Sequence, residues 1–179
     1  MTWTTRSSRT VYENPWIHVR EDEVTGPHGD GIYGVVRMQH PAVFIVALDD
    51  QDRVPLVAVD RYTVGRSWEV PAGGSDGEDP LLAAQRELRE ETGLEASEWL
   101  PLGRMNALNG IADAPEYVFL ARGVRTVTDA ADIRAEEGIA EFRWVPFADA
   151  LAMIADETIT DGETIAALAL AGIRLGRFR

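Results

Sequence analysis

Apolar positions along this chain recur first with the spacing of strands and later with that of helices, and the changes mark out its elements. Between residues 9 and 38 the pattern predicts two or three strands. Val11-Tyr12 and Trp16–Val24 are β-prone, Gly26–Gly31 reads as a turn, and Ile32–Met38 returns. So small a β unit cannot bury both its faces and must pack on the rest of the chain or on a second copy. Pro41 marks a boundary. Ala42–Leu48 is a continuous apolar run of strand length, Asp49–Asp52 a turn, and Leu56–Val59 a second strand leading to Arg61-Tyr62. Trp68–Val70 runs into a glycine-rich loop. Trp99–Leu102, Tyr117–Ala121 and the alternating Glu141–Val145 are further strands, with a loop from Asn106 to Pro115 and a polar stretch over Asp129–Glu137. Phe147–Ile154 is helical. Thr160 with Glu163 reads as a capping box opening a last helix that carries Ile165, Leu168 and Ile173 on one face. Strands interleaved with flanking helices predict an α/β layered domain.

The stretch Pro71–Leu94, PAGGSDGEDPLLAAQRELREETGL, carries the densest local signals. Asp79 caps a helix, Pro80 fits its first position, and Gly93 fits the left-handed position after its end. Leu94 would fold back onto Leu88. At 100° per residue, Leu81, Ala84, Leu88 and Thr92 share one side and face the core. Glu87 and Glu91 lie one turn apart on the neighbouring arc, flanked by Glu90. Repulsion and desolvation both oppose ionisation of carboxylates crowded at a buried edge, and Arg86 offsets only part of this. One reading is a solvated acidic helix face. The other is a site for a divalent cation, and all-oxygen ligands suit Mg²⁺ or Mn²⁺. The glycines favour the second, because their backbone can approach a phosphate or a metal closely.

Composition narrows the choices. The net charge is −13 over 179 residues, which argues against a nucleic-acid polymer as partner but not against a small nucleotide delivered with Mg²⁺. There is no cysteine, hence no disulfide framework, thiolate metal site or thiol nucleophile. The longest apolar run is far too short to span a bilayer, and MTWTTRSSRT lacks the apolar centre of a signal peptide. The expectation is a cytoplasmic protein with no membrane partner. His18, His28 and His40 show no metal-ligand spacing.

Glu78, seven residues, then Arg86-Glu87-Leu88-Arg89-Glu90-Glu91-Thr92-Gly93-Leu94 resembles the Nudix box, G-x5-E-x7-R-E-U-x-E-E-x-G-U with U aliphatic. The departure is at the start: four residues separate Gly73 from Glu78 where the family has five, and the family spacing would put Ala72 at the glycine position. Arg61-Tyr62, the run Glu69-Val70-Pro71-Ala72-Gly73, Glu136-Glu137 and the ending Asp161–Leu168 are similar to the ADP-ribose and nucleoside-diphosphate-sugar pyrophosphatases of that superfamily. The loop Asn106–Glu116 is not a close match to that group's proline-glycine loop.

This resemblance implies an α/β/α sandwich with a mixed central sheet over residues 41–179, and a small N-terminal β subdomain over 1–40 that exchanges across a homodimer. It implies Mg²⁺-dependent hydrolysis of the pyrophosphate bond of a nucleoside diphosphate linked to a sugar, with Mn²⁺ as an alternative metal. The products are a nucleoside monophosphate and a sugar phosphate. Glu87 and Glu91 would be the main metal ligands, with Glu90 and the Ala72 carbonyl completing the shells. Arg86 would orient Glu90 or a neighbouring carboxylate, and Glu78 would hold a loop amide or a metal-bound water. Glu137 or Glu136 matches the mobile loop glutamate that serves as base, with Glu90, Asp113 and Glu116 next in line. Trp16, Tyr62 and Trp68 are candidates to stack on a base, Arg61 to meet a phosphate or ribose, and Glu69 a base or ribose hydroxyl. Gly73 would let the backbone approach the substrate. Two other readings are a nucleotide-sugar-binding module without catalysis and a house-cleaning enzyme for damaged nucleoside triphosphates. The intact carboxylate set argues against the first, and the extra N-terminal β unit against the second.

Overall fold

The computed structural model describes residues 2–127, 134 and 138–178. Among these, the run Ala42–Ala47 forms strand β4 at the centre of a four-stranded sheet ordered β7-β4-β10-β8. This strand lies between β7 (Ala72–Gly74) and β10 (Pro115–Thr126), with β8 (Leu94–Asn106) beyond β10. Strand β10 pairs parallel to β4 and the other pairings are antiparallel, so the sheet is mixed. Both faces of β4 are covered, which is why its sequence is uniformly apolar rather than alternating. Val43, Ile45 and Ala47 turn to one side, with Phe119 and Ala121 of β10, and meet Ala83, Ala84 and Leu88 of helix α1 (Pro80–Thr92). Phe44, Val46 and Leu48, with Val118 and Leu120, turn to the other. There they meet Ala150 of α2 (Phe147–Ala155) and Ala167, Leu168 and Ala171 of α3 (Gly162–Arg174). The result is the expected helix–sheet–helix sandwich. A second sheet, ordered β11-β5-β6, comprises β5 (Arg53–Arg61), β6 (Gly65–Glu69) and β11 (Ile139–Pro146).

Helix α1 forms as its local signals predict. The Asp79 side chain accepts from the Leu81 N–H at 2.9 Å, Pro80 opens the helix, and Gly93 ends it at φ 72°. Leu94 joins Leu88 in the same core cluster.

The N-terminal unit is larger than predicted. Strand β1 runs over Thr4–Glu13, although its sequence TTRSSRTVYE has no apolar alternation, because pairing with β2 (Ile17–Gly26) satisfies its backbone. The turn before β3 (Gly29–Met38) is tighter than Gly26–Gly31: Gly26 already pairs with Gly29, which has φ 107°. The loop after Asn106 is not wholly irregular. Its Ala112-Asp113 forms β9, which adds to β3 in parallel. Arg37 Nε donates to Asp113 at 2.7 Å and Tyr33 Oη donates to the Gly110 carbonyl at 2.5 Å, fixing that loop to the N-terminal sheet.

Two readings of the last helix are corrected. Its cap is Asp161, whose carboxylate accepts from the Thr164 N–H at 2.7 Å, not the capping box of Thr160 and Glu163. Its core stripe is Thr164, Ala167, Leu168, Ala171 and Gly172, and Ile173 lies exposed. The cap sits one residue later than the box requires. No helix among the described residues is long and apolar enough to cross a membrane.

Candidate active site

The glycine loop is held to the sheet before it reaches α1. Ala72 pairs with Phe44, Gly73 with Val43 and Gly74 with Ala42, and the Ser75 N–H donates to the Pro41 carbonyl at 2.8 Å. The Val70 N–H donates to Thr164 Oγ1 at 3.1 Å, tying the start of the loop to α3. Helix α1 packs on the same strand through Ala83, Ala84 and Leu88. Loop and helix therefore meet with a fixed separation, and Glu87 and Glu91 fall between them, each only 8% exposed.

Gly73 is where they come closest. A Cβ built there would lie 2.3 Å from the Glu87 carboxyl carbon. A side chain there would displace the Glu87 carboxylate, so Gly73, and not Ala72, is the position where glycine keeps Glu87 in place despite the shortened spacing to Glu78. Ala72 instead gives its N–H to Glu91 Oε2 at 3.0 Å.

Arg86 is the counter-ion of the cluster. Its Nε donates to Glu78 Oε2 at 3.1 Å, and its Nη1 to Glu87 Oε1 at 2.7 Å and Glu90 Oε2 at 3.0 Å. Its Nη2 donates to the Gly74 carbonyl at 3.0 Å. Burial opposes the charge of Arg86, but the bonds to these glutamates outweigh it, and its pKa stands above the ordinary arginine value. These bonds reach Glu78 as well as the two helix glutamates.

A cavity of about 310 Å³ opens over this cluster, lined by Arg61, Ala72, Gly73, Asp76, Arg86, Glu87 and Glu91, among others. Arg61, from the end of β5, pairs with Glu69 of β6 through Nε at 3.0 Å and Nη2 at 2.5 Å. That bond raises its pKa, with burial opposing. Arg61 and Glu69 are thus a preformed pair rather than two separate contacts. Trp16, 71% exposed, and Tyr62, fully exposed, do not line the cavity. Trp68 is engaged by Arg66 and Arg143, whose guanidinium carbons stand 5.9 and 4.7 Å from its ring centroid. Glu136 and Glu137, the predicted bases, lie outside the described residues. Asp113 is engaged by Arg37.

Sequence reading missed Asp76, which enters the cavity from a left-handed backbone position at φ 47°. It also missed the grouping of Glu116 with Asp161 and Glu163. They line an adjoining cavity of about 450 Å³ together with Arg61 and Glu69. Burial, then the charges of Glu163 and Asp161, push the pKa of Glu116 up to about 7.

Among the described residues no three acidic, histidine or cysteine side chains converge as a finished metal cage. The donor chemistry nevertheless fits a hard divalent cation: buried carboxylates backed by a glycine, with an arginine holding part of the charge. A sandwich of this kind carrying a glycine loop and a glutamate-rich helix defines one class of protein. The chain belongs to the NUDIX domain family, whose pattern covers residues 38–168. Residues 3–36 match the nucleoside diphosphate sugar hydrolase N-terminal domain.

Among its relatives is the ADP-ribose pyrophosphatase of Mycobacterium tuberculosis, 38% identical over 172 residues, spanning 94% of this chain and 80% of the relative. The GDP-mannose pyrophosphatase of Yersinia pestis is 34% identical over 130 residues, 72% of this chain and 64% of the relative. A solved structure of an ADP compounds hydrolase shares the fold with a TM-score of 0.84 at 21% identity, covering 98% of this chain and 95% of that one.

Proposed function

We propose that the chain hydrolyses the pyrophosphate bond of a nucleoside diphosphate linked to a sugar, in the presence of Mg²⁺ or Mn²⁺. The observation that carries this reading is the seating of Glu87 against Gly73, with Glu91 and Arg86 in the same cavity. Relatives named as ADP-ribose and GDP-mannose pyrophosphatases support the substrate class.

In this reading Glu87 and Glu91 hold the divalent cation, with Glu90 and the Ala72 carbonyl as further donors. The cation supplies charge compensation for the diphosphate and makes water a better nucleophile. Gly73 keeps room for Glu87. Arg86 fixes the rotamers of Glu78, Glu87 and Glu90, so that they need not reorganise when substrate arrives. Arg61, already oriented by Glu69, faces the cavity with a charge suited to a phosphate oxygen. Glu137, or Glu136 beside it, takes the proton of the attacking water. Gly138 next to them has φ 73°, a backbone conformation that favours glycine.

The same reading includes a homodimer with the boundary between subdomain and catalytic domain near residue 40, and a cytoplasmic location. All ten residues of β1 are exposed, and Trp3, Val11, Tyr12, Trp16 and Ile32 leave apolar surface open on the N-terminal sheet. A second copy would cover it.

A panel of nucleotide sugars incubated with Mg²⁺ or Mn²⁺ tests the function. At least one should yield a nucleoside monophosphate and a sugar phosphate in equal amounts. Hydrolysis of nucleoside triphosphates alone, with no nucleotide sugar cleaved, would refute the substrate class.

A further inference from the structure

The second cavity, about 450 Å³ and beside the first, is unusual in its charge. Its titratable lining is Arg61 from β5, Glu69 from β6, Glu116 from β10, and Asp161 and Glu163 at the start of α3. Arg61 spends Nε and Nη2 on Glu69, although its charge also reaches Asp161. Three carboxyl groups remain. Asp161 takes the N–H of Thr164, and burial with the nearby Asp161 raises the pKa of Glu163. Glu116 is 7% exposed and makes no hydrogen bond or ion pair to any described residue. Burying a carboxyl beside two others with no cation bonded to it is costly, and the cost falls when a cation arrives.

Phe44 and Val64 give the cavity an apolar wall, while Ser67, Thr63 and Thr160 add hydroxyls. The volume suits a small organic group rather than a bare ion. A neutral hydroxyl-rich ligand would hydrogen-bond there but leave the carboxyls repelling one another. A ligand bearing an ammonium would answer both needs.

From the partnerless, buried Glu116 facing Asp161 and Glu163 across this cavity, we propose that the cavity is a subsite for an ammonium-bearing group, such as that of an amino sugar. This deepens the proposed function, on which it rests for placing that group on the sugar half of the substrate. The site itself stands on the cavity alone. Binding of the ammonium favours the ionised form of Glu116, so preference for the cationic ligand grows as pH rises toward about 7.

Two measurements test it on the full chain. In the first, free glucosamine and free glucose are titrated separately while the amide signals of Gly162, Glu163 and Thr164 are followed by NMR. Glucosamine should shift these signals at pH 7 and glucose should not. Equal shifts, or none, overturn the proposal. So does a shift with Mg²⁺ alone, which would make the cavity a metal site. In the second, kcat/KM is compared for ADP-glucosamine and ADP-glucose. The amino sugar should be favoured about tenfold, and Glu163→Gln and Glu116→Gln should each bring the ratio close to one. Because a ratio is read, a general loss of activity in a variant cancels. A ratio near one in the parent, or one unchanged in both variants, overturns the proposal. If neither compound is hydrolysed the proposed function fails, and the NMR titration still decides the subsite.

Discussion

Replacing Gly73 by Ala adds one methyl group at the point where the glycine loop meets α1. The backbone of Gly73 has an ordinary φ, so alanine brings no conformational strain. The new Cβ would lie 2.3 Å from the Glu87 carboxyl carbon and Oε1, and 2.6 Å from Oε2. Ordinary contact begins near 3.4 Å, so the carboxylate must retreat by about 1 Å. Glu87 is buried and bonded to Arg86 Nη1, and α1 is pinned by Leu88 beneath it, so the retreat must come from the carboxylate's own rotamer. Misplacement of a catalytic group by about 1 Å costs on the order of 10²-fold in rate. Gly73→Ala should therefore lower kcat/KM for ADP-ribose by about 10²-fold or more, with the thermal midpoint within a few degrees of the parent. Gly74→Ala is the control: its Cβ would meet only Asp76 Oδ1, at 3.3 Å, and activity should stay within threefold. The assay is steady-state release of AMP in Mg²⁺. Near-normal activity in Gly73→Ala would refute the requirement for Glu87 at this place.

Three further outcomes follow from the same geometry. Glu137→Gln should lower kcat by about 10²–10⁴ with KM nearly unchanged, and higher pH should partly restore the rate; if neither it nor Glu136→Gln slows turnover tenfold, the base lies elsewhere. Thr164→Val leaves the Val70 N–H unpartnered in the core and should cost about 1–3 kcal/mol in urea unfolding. Glu116 has a folded pKa near 7, above its unfolded value, so it binds its proton more tightly in the fold. It therefore supports stability below about pH 4.5 and loses that contribution as pH rises through 7. Glu116→Gln should accordingly flatten the fall in stability between pH 5 and 8, by up to about 3 kcal/mol; an unchanged slope would contradict it.

The parts of this architecture legible in the sequence are those set by neighbours in the chain. Asp79, Pro80 and Gly93 bound α1 through contacts within a few residues, and the two-sided burial of Ala42–Ala47 is written in its unbroken apolar run. Helical spacing also put Glu90 within reach of Arg86. What could not be read depends on pairing between distant segments. Strand β1 is polar throughout and owes its form to β2, while β9 exists only because β3 offers it an edge. Glu116 and Glu163 sit on β10 and α3 and meet only when both pack on β4. Spacing alone left Arg61 and Glu69 as separate binding residues, although the adjacency of β5 and β6 makes them partners. The shortened loop before Glu78 was visible, but only the approach of Gly73 to Glu87 tells which residue bears the constraint.

The central claim is that the cavity over Glu87 and Glu91 hydrolyses a pyrophosphate bond. The most direct measurement is the release of AMP from ADP-ribose with Mg²⁺, by the parent chain and Glu91→Gln side by side at matched folded concentration. The parent should give AMP and ribose 5-phosphate in equal amounts. Glu91→Gln, of the same shape but one charge fewer, should be slower by at least 10³-fold while melting near the parent temperature. Equal rates for the two proteins would contradict the account.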